Sequence, residues 1–198
     1  MTEGVNDEPD FNYWLGLRHY NPTRFRRWED LQKAYGERLR TLFGRRIQSV
    51  WLLWETGCND WHNDGPVILD MGSTQLEICT NKVHEIAVSF DTIDTSQQMT
   101  WYRDADDVPT MSFRWVENPE SLPLSEVSSR RTILVPEDLD IRTVVGRRVE
   151  NIAVGTWDHA LHSLELYLDV GHFAVWNALD ENGIRFHKPS GKLGLHQL

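Results

Sequence analysis

The sequence predicts an α+β chain of mostly antiparallel β-structure. In it two related β-meander units, an internal duplication, pack as a sandwich or barrel with an N-terminal amphipathic helix. Three observations support this prediction: a nine-residue segment that occurs twice, short apolar runs separated by turn residues, and one apolar stripe of helical period. Two such units can bury their apolar faces against each other, which removes the open face that a lone three-stranded unit would have.

The helix is predicted to follow an acidic N-terminal segment, residues 1–20. Asn21-Pro22-Thr23 has the proline and the capping side chain that are typical of a helix start. Gly44 is placed to end the helix through a left-handed backbone conformation. Between these points the apolar residues fall three or four positions apart, at Phe25, Trp28, Leu31, Tyr35, Leu39 and Leu42.

The repeated segment occupies residues 39–47 and 141–149. Five of its nine positions are identical and the other four are apolar in both copies. A second match joins residues 67–72 to 166–171, where Asp and Gly flank one apolar residue as in a tight hairpin turn. The framework residues that the two copies share are Gly44, Arg45, Arg46, Asp70, Gly72, Gly146, Arg147, Arg148, Asp169 and Gly171.

Further strand-like runs complete each unit and define the predicted domains. The helix and the first unit occupy residues 21–120, a linker rich in Ser and Pro covers 121–135, and a shorter second unit covers 136–198. Whether the two units form one compact domain is left open. The tail 187–198 has little periodicity and is predicted to be loosely held. The strand-like runs are 75–80, 83–90, 99–102, 111–116, 173–177 and 183–186.

Composition indicates a globular protein and excludes some classes. Apolar residues make up 40% of the 198 residues and charged residues 25%. No run approaches the roughly 18 apolar residues of a transmembrane segment, and the acidic N-terminus lacks the apolar part of a secretory signal. With only Cys58 and Cys79, a disulfide scaffold is excluded and a cytoplasmic location is predicted.

The charge distribution argues against nucleic acid and for a basic protein partner. The net charge is −10, whereas a phosphate backbone is bound by clustered Lys and Arg. Residues 21–46 carry eight basic and three acidic side chains, and residues 47–198 carry eleven and twenty-three. An acidic body would steer and select a basic partner. The basic helix leaves self-association as a homo-oligomer, or contact with an anionic lipid surface, as an alternative.

The two arginine pairs, Arg45-Arg46 and Arg147-Arg148, recur in both units, which favours a structural role. An arginine there can bond the last carbonyl groups of the preceding helical turn, or pair with Asp70 or Asp169. Anion binding is the alternative interpretation.

Two polar loops, 55–65 and 155–163, hold the candidate binding residues, together with Trp54 directly before the first loop. The loops occupy equivalent places in the units and yet differ in sequence. Neither loop has the paired-ligand spacing of a metal site, and nucleophile and nucleotide-binding motifs are lacking. No metal, cofactor or catalytic residue is therefore predicted. The candidate binding residues are Trp54, Asp60, Trp61, His62, Asp64, Trp157, Asp158 and His159.

The Gly-Arg-Arg strand start and the Asp-x-Gly hairpin, both present twice, resemble those of small acidic, tryptophan-rich, β-rich bacterial proteins of unknown function. Some of these are similar to immunity proteins of toxin systems. The resemblance implies a cytoplasmic protein that neutralises a toxin by binding it. The first hypothesis is thus a non-catalytic protein-binding module. The alternative is a small-ligand-binding or hydrolytic barrel, in which Asp60, His62, Asp158 and His159 meet in one pocket between the loops.

Overall fold

The computed structural model describes residues 17, 20–57, 59–97, 99–103, 109–118, 141–189 and 193–198, with 99–103 and 109–113 described by backbone pairing only. Within them the chain is mostly antiparallel β-structure in two sheets, with one α-helix, which confirms the coarse fold prediction. The elements are β1 (Thr23–Phe25), α1 (Trp28–Arg40), β2 (Ser49–Glu55), β3 (Asp60–Trp61), β4 (Val67–Asp70), β5 (Gln75–Lys82), β6 (Glu85–Phe90), β7 (Met99–Arg103), β8 (Pro109–Glu117), a 3-10 helix (Ile141–Thr143), β9 (Val149–Trp157), β10 (Ala160–Leu168), β11 (His172–Asn177), β12 (Asn182–Arg185) and β13 (Gly194–Gln197).

The prediction of an N-terminal helix that starts near Asn21 is wrong, because a strand precedes the helix. Thr23 and Phe25 pair with β6 as the edge strand β1, where a β-branched residue and an aromatic ring are favoured. Arg27 keeps an extended backbone, with φ −127° and ψ 139°, so α1 begins at the next residue. The predicted apolar stripe does face the body, since Leu31 and Leu39 are fully buried.

Both sheets contain a four-stranded antiparallel meander of the same order. The first sheet runs β1-β6-β5-β4-β2-β8-β7, with β3 also paired to β2, and the second runs β12-β11-β10-β9-β13. Strands β2, β4, β5 and β6 are therefore arranged as β9, β10, β11 and β12 are. Strand β13 pairs with β9 in the tail that the sequence predicts to be loose. That prediction is wrong because an edge strand with mostly exposed side chains is held by backbone hydrogen bonds and shows no apolar period.

The two copies of the repeated segment are hydrogen-bonded to each other. The Gly44 N–H donates to the Val149 carbonyl at 2.8 Å, and the Gly146 N–H donates to the Ile47 carbonyl at 2.7 Å. Val149 and Ile47 each donate back across the junction at 2.9 Å. Gly44 and Gly146 also share a left-handed backbone, with φ of 80° and 82°. Each bond from the first copy to the second therefore has an equivalent bond from the second copy to the first. The duplication itself stays a prediction.

The first arginine of each pair bonds the helical turn before it. The Arg45 Nε donates to the Thr41 carbonyl at 2.9 Å, and the Arg147 Nε donates to the Thr143 carbonyl at 3.1 Å. The second arginines, Arg46 and Arg148, are exposed at the antiparallel bridge that joins the copies. Backbone hydrogen bonds therefore hold the junction. Its guanidinium groups are exposed or donate hydrogen bonds to carbonyl oxygens.

The two Asp-x-Gly segments form the predicted tight turns. In the β4–β5 turn the Gly72 N–H donates to Asp70 Oδ1 at 2.7 Å, and in the β10–β11 turn the Val170 N–H donates to Asp169 Oδ1 at 3.0 Å. Gly72 and Gly171 both have positive φ, 81° and 94°, which glycine adopts without strain.

One cluster of buried apolar side chains has members in both sheets and in α1. Val50 and Leu76 belong to it from the first sheet, and Ile152 and Leu166 from the second. The two sheets thus share a core, while the sandwich or barrel geometry stays a prediction. The predicted linker 121–135 and most of the predicted segment 1–20 lie outside the described residues.

Candidate functional site

The three candidate tryptophans, in or next to the two loops, differ in exposure. Trp54 is 4% exposed, and its Nε1 donates to Asn59 Oδ1 at 3.1 Å. Trp61 lies opposite Trp54 in the β2–β3 pair and packs against the shared core. Trp157 is 61% exposed at the end of β9. Of these three predicted contact residues, Trp157 therefore presents the most surface to a partner.

The candidate polar residues of loop 55–65, namely Asp60, His62 and Asp64, are half-buried and take part in local hydrogen bonds. Asp60 Oδ1 accepts a hydrogen bond from the next backbone N–H at 2.7 Å. The carbonyl of Asp64 accepts from Asn81 Nδ2 at 3.2 Å, which ties the loop to β5. His62 donates its backbone N–H to Leu53 at 2.8 Å. Cys58, in the same loop, lies outside the described residues.

The second loop, 155–163, is a tight hairpin with an exposed tip. Asp158 and His159 have positive φ of 49° and 66°, the conformation of a two-residue hairpin turn of the primed type. Both side chains are exposed, next to the exposed Trp157. Their place at a tip, rather than in a cleft, suits surface recognition.

Three turn segments meet at one end of the molecule, which we term the acidic end: residues 56–66, 157–162 and 177–183. The last two are neighbouring turns at one end of the second sheet, because β10 and β11 are adjacent and antiparallel. Loop 55–65 joins them through the Asn182 N–H, which donates to the Asn63 carbonyl at 2.9 Å. The three segments hold no Lys or Arg and five carboxylates, namely Asp60, Asp64, Asp158, Asp180 and Glu181.

Leu179, in the turn before β12, is an apolar surface residue that sequence reasoning missed. It is 87% exposed and has a positive φ of 63°. Its apolar type at the tip of a turn, directly before two acids, was the available signal, but apolar residues on their own are common on protein surfaces. It lies in the turn next to the one that exposes Trp157, because β10 and β11 are neighbouring strands.

Asn182 holds the acidic end in place and links the two sheets. Its Nδ2 donates to the carbonyls of Asn63 at 2.7 Å and Gly65 at 2.8 Å. Its Oδ1 accepts from the backbone N–H and the hydroxyl of Thr80. The side chain is fully buried, so all of its hydrogen-bonding capacity is used within the protein.

An aromatic row extends from Trp157 across the outer face of the second sheet, away from the shared core. The ring of His162 lies 6.1 Å from that of Trp157 and 5.6 Å from that of Trp176, centroid to centroid. Gly183 allows this arrangement, since a Cβ there would come 2.5 Å from the Trp176 indole. Burial, and next the charge of Arg185, lower the pKa of His162, which keeps this row neutral near pH 7.

A buried polar cluster centred on Glu165 lies next to this row. Its carboxylate accepts hydrogen bonds from Ser163, from His172 Nε2 at 2.6 Å and from Arg185. Burial acts to raise the pKa of Glu165, but these hydrogen bonds together hold it below its usual range. The cluster joins β10, β11 and β12. Sequence reasoning missed it because the partners stand 2, 7 and 20 positions from Glu165, a spacing that matches no motif.

A second buried carboxylate, Glu77, has a structural explanation. It accepts from the backbone N–H groups of Thr92 at 2.7 Å and Ile93 at 2.8 Å, and from the Ser89 hydroxyl. These bonds fix the segment after β6 against the outer face of the first sheet. Glu77 is therefore occupied in positioning the backbone.

The described residues give little support for a metal-binding site or a catalytic nucleophile. No group of three or more His, Cys, Asp or Glu among them is placed to hold a metal ion. Burial raises the pKa of Cys79 to about 12, so the thiol stays protonated at neutral pH.

The helix α1 has thirteen residues, and none of the helices in the described ranges has the length and apolar character needed to cross a membrane. No protein-family model, curated protein or solved structure matches the chain. Its function is therefore inferred from its own residues.

Proposed function

We propose that the chain is a non-catalytic protein-binding module that presents its acidic end to a basic partner protein. The observation that carries this proposal is the exposure of Trp157, 61%, among carboxylates and next to the turn that exposes Leu179. Tryptophan is enriched among the few residues that dominate binding energy at protein interfaces. An exposed tryptophan with an apolar neighbour and a polar rim has the composition of such an interface.

The charge of the acidic end determines the kind of partner. Five carboxylates without a Lys or Arg give these three segments half of the net charge of −10. A surface of one sign attracts a partner of the opposite sign, raises the association rate and disfavours acidic competitors and nucleic acid. The buried Asn182 keeps segments 56–66 and 177–183 in a fixed arrangement, which lowers the entropy lost on binding.

The resemblance of the sequence to immunity proteins of toxin systems narrows the proposed partner. We infer that the partner is a basic toxin and that the chain neutralises it by covering it in a reducing cytoplasm, which the buried free thiol of Cys79 supports. We also infer that the two units arose by duplication and pack as a sandwich. The exchange-symmetric bonds at the junction and the shared core support this inference.

The alternative of an enzymatic pocket between loops 55–65 and 155–163 has weaker support. It requires Asp60 and His62 to face Asp158 and His159 in a cleft. The last two lie at an exposed tip, and the first loop is bonded to the turn before β12. We therefore keep binding as the proposed function.

A capture experiment with matched variants tests the proposal. The protein, its Trp157→Ser variant and its Val170→Ser variant are immobilised and exposed to lysate of the source organism. Val170 is a matched control because it is 59% exposed in the β10–β11 turn, at the other end of the sheet. We expect a protein of pI above about 9 to be retained by the wild type and by Val170→Ser. Its retention by Trp157→Ser should fall about tenfold or more.

Two results would contradict the proposed function. One is recovery of no basic protein by the wild type. The other is equal recovery by all three proteins, which would show that the tryptophan makes no contact.

A further inference from the structure

The aromatic row on the outer face of the second sheet keeps part of its surface accessible at the acidic end. Trp157 is 61% exposed, and His162 and Trp176 are half-buried. Neighbouring rings are tilted by 48° and 47°, with centroids 6.1 and 5.6 Å apart. Since a Cβ at Gly183 would meet the Trp176 indole, this indole lies directly on β12 and is held in place. The row is therefore a fixed aromatic surface that a partner can reach.

Two other rings of the chain already have a cation beside them. Arg38 Cζ lies 4.3 Å from the Phe90 ring centroid, and Lys188 Nζ lies 5.6 Å from that of Tyr167. A cation is attracted to the face of an aromatic ring within about 6 Å of its centroid, and most strongly to tryptophan. Within the described ranges, no Lys or Arg stacks on either tryptophan of the row. These two indoles are thus left for a cation from outside the chain.

The charges around the row also favour an incoming cation. Asp158 lies in the β9–β10 turn and Asp180 in the β11–β12 turn, and both are exposed. Arg185 is paired with the buried carboxylate of Glu165. Burial, and next the charge of Arg185, lower the pKa of His162, so the middle ring is neutral near pH 7. An incoming cation therefore meets two exposed carboxylates, while the described cation beside the row is already neutralised.

The guanidinium group of arginine can use the rings and the carboxylates at the same time. Its planar face stacks on an indole, while the N–H groups at its edge donate to a carboxylate. A lysine ammonium is a strongly hydrated point charge without a planar face, so it gains less from the rings. The combination of accessible indoles and exposed carboxylates therefore selects arginine among the side chains of a basic protein.

We propose that the aromatic row receives an arginine side chain of the basic partner, whose guanidinium stacks on an indole of the row and donates to Asp158 or Asp180. The arginine site rests on the proposed protein-binding function, and it specifies which basic side chain the acidic end recognises. Stacking and charge pairing act on the same group, so arginine is bound more tightly than lysine of equal charge.

Titration with three matched peptides tests this proposal, with the indole ¹H–¹⁵N signals of Trp157 and Trp176 as the measurement. Hexaarginine carries the planar cation, hexalysine carries the same charge without the planar group, and hexacitrulline carries a planar group without the charge. At low salt we expect saturable shifts with hexaarginine and about fivefold weaker binding of hexalysine. Hexacitrulline should bind more weakly than both.

Variants at two exposed positions separate stacking from charge. Trp157→Leu keeps an apolar side chain but removes the ring, so it should bind hexaarginine about fivefold more weakly than the wild type does. Trp157→Phe keeps a ring and should lose less affinity. Val170→Leu, at the other end of the sheet, should leave the affinity unchanged. Trp157 and Val170 are 61% and 59% exposed, so none of these substitutions alters the core.

The proposal is overturned if hexaarginine gives no saturable shift, if hexalysine binds as well as hexaarginine, or if Trp157→Leu binds hexaarginine as the wild type does. If the capture experiment still retains a basic protein in that case, the proposed function stands and the arginine site alone falls. Failure of the proposed function gives a different result, because capture would then recover no basic protein and neither charged peptide would bind.

Discussion

At the scale of single residues, Asn182 offers the most direct test of how the acidic end is held. Asn182→Asp keeps the side-chain size and the acceptor toward Thr80, but it places an oxygen where Nδ2 donates to two carbonyls. Lost donors and a buried charge should lower the free energy of unfolding by about 3 kcal/mol. Urea unfolding, followed by tryptophan fluorescence, measures this loss.

The same substitution at Asn21, which is exposed, is the matched control. Asn21→Asp should change stability by less than about 0.5 kcal/mol. If Asn182→Asp were as mild as the control, the hydrogen bonds of Asn182 would not hold the two sheets together.

Cys79 yields a prediction about reactivity. Burial raises its pKa from 9.0 to about 12, so the folded state disfavours the thiolate. In a Cys58→Ser background at pH 8, the folded protein should react with Ellman's reagent on the order of a thousandfold more slowly than the unfolded chain. The stability that this thiol contributes is present below pH 9 and is lost as the pH rises toward 12. Fast labelling of the folded protein would contradict this environment.

Sequence reasoning reached some of these residues and missed others for a physical reason. It identified Trp157, because the residue stands in a polar loop beside a hairpin turn. It also named Trp54 and Trp61 as candidate contacts, since nothing local shows that β3 folds back on β2. Asn182 and Glu165 were out of reach, because most of their partners come from other strands and loops, up to 119 positions away for Asn182 and 20 for Glu165.

At the scale of secondary-structure elements, the junction of the two repeated segments depends on a pair of glycines. Gly44 and Gly146 have φ of 80° and 82°, and a Cβ at either position would meet no atom within 4 Å. Replacement by alanine therefore costs backbone strain alone, about 1–2 kcal/mol. Gly44→Ala and Gly146→Ala should thus lower the free energy of unfolding by equal amounts, measured by urea unfolding.

Gly57 serves as the control, since a Cβ there also meets no atom within 4 Å and its φ is not in the left-handed range. Gly57→Ala should be nearly neutral. A large difference between the two junction variants would argue that the copies are not equivalent.

Sequence analysis predicted strands and turns correctly where neighbouring residues alone determine them. The Asp-x-Gly turns and the strands around them follow from turn chemistry and alternation, and both copies show them. The start of the helix was not predictable, because proline and threonine before Phe25 also suit an edge strand, and only the distant β6 decides between them. Strand β13 was missed for the same reason, as its partner β9 is distant in the sequence.

At the scale of the whole molecule, charge is separated along the strands. The three segments of the acidic end hold five carboxylates and no Lys or Arg, while the opposite end, where β2 and β9 begin, has Arg45, Arg46, Arg147 and Arg148 beside Asp70 and Asp169. A molecule with this asymmetry orients in the field of a charged partner before contact. The net charge of −10 alone does not reveal this separation, which appears once the turns are placed in space.

The asymmetry predicts that the position of a charge, and not only the total, controls association with the basic partner. Asp158→Asn with Asp180→Asn removes two charges from the acidic end, and Asp30→Asn with Glu37→Gln removes two exposed charges from α1. The first pair should slow association about tenfold at low salt, and the second should have little effect, as measured by stopped-flow tryptophan fluorescence. The difference should shrink as salt approaches 1 M, where screening is short-ranged. Equal effects of the two pairs would show that net charge alone steers the partner.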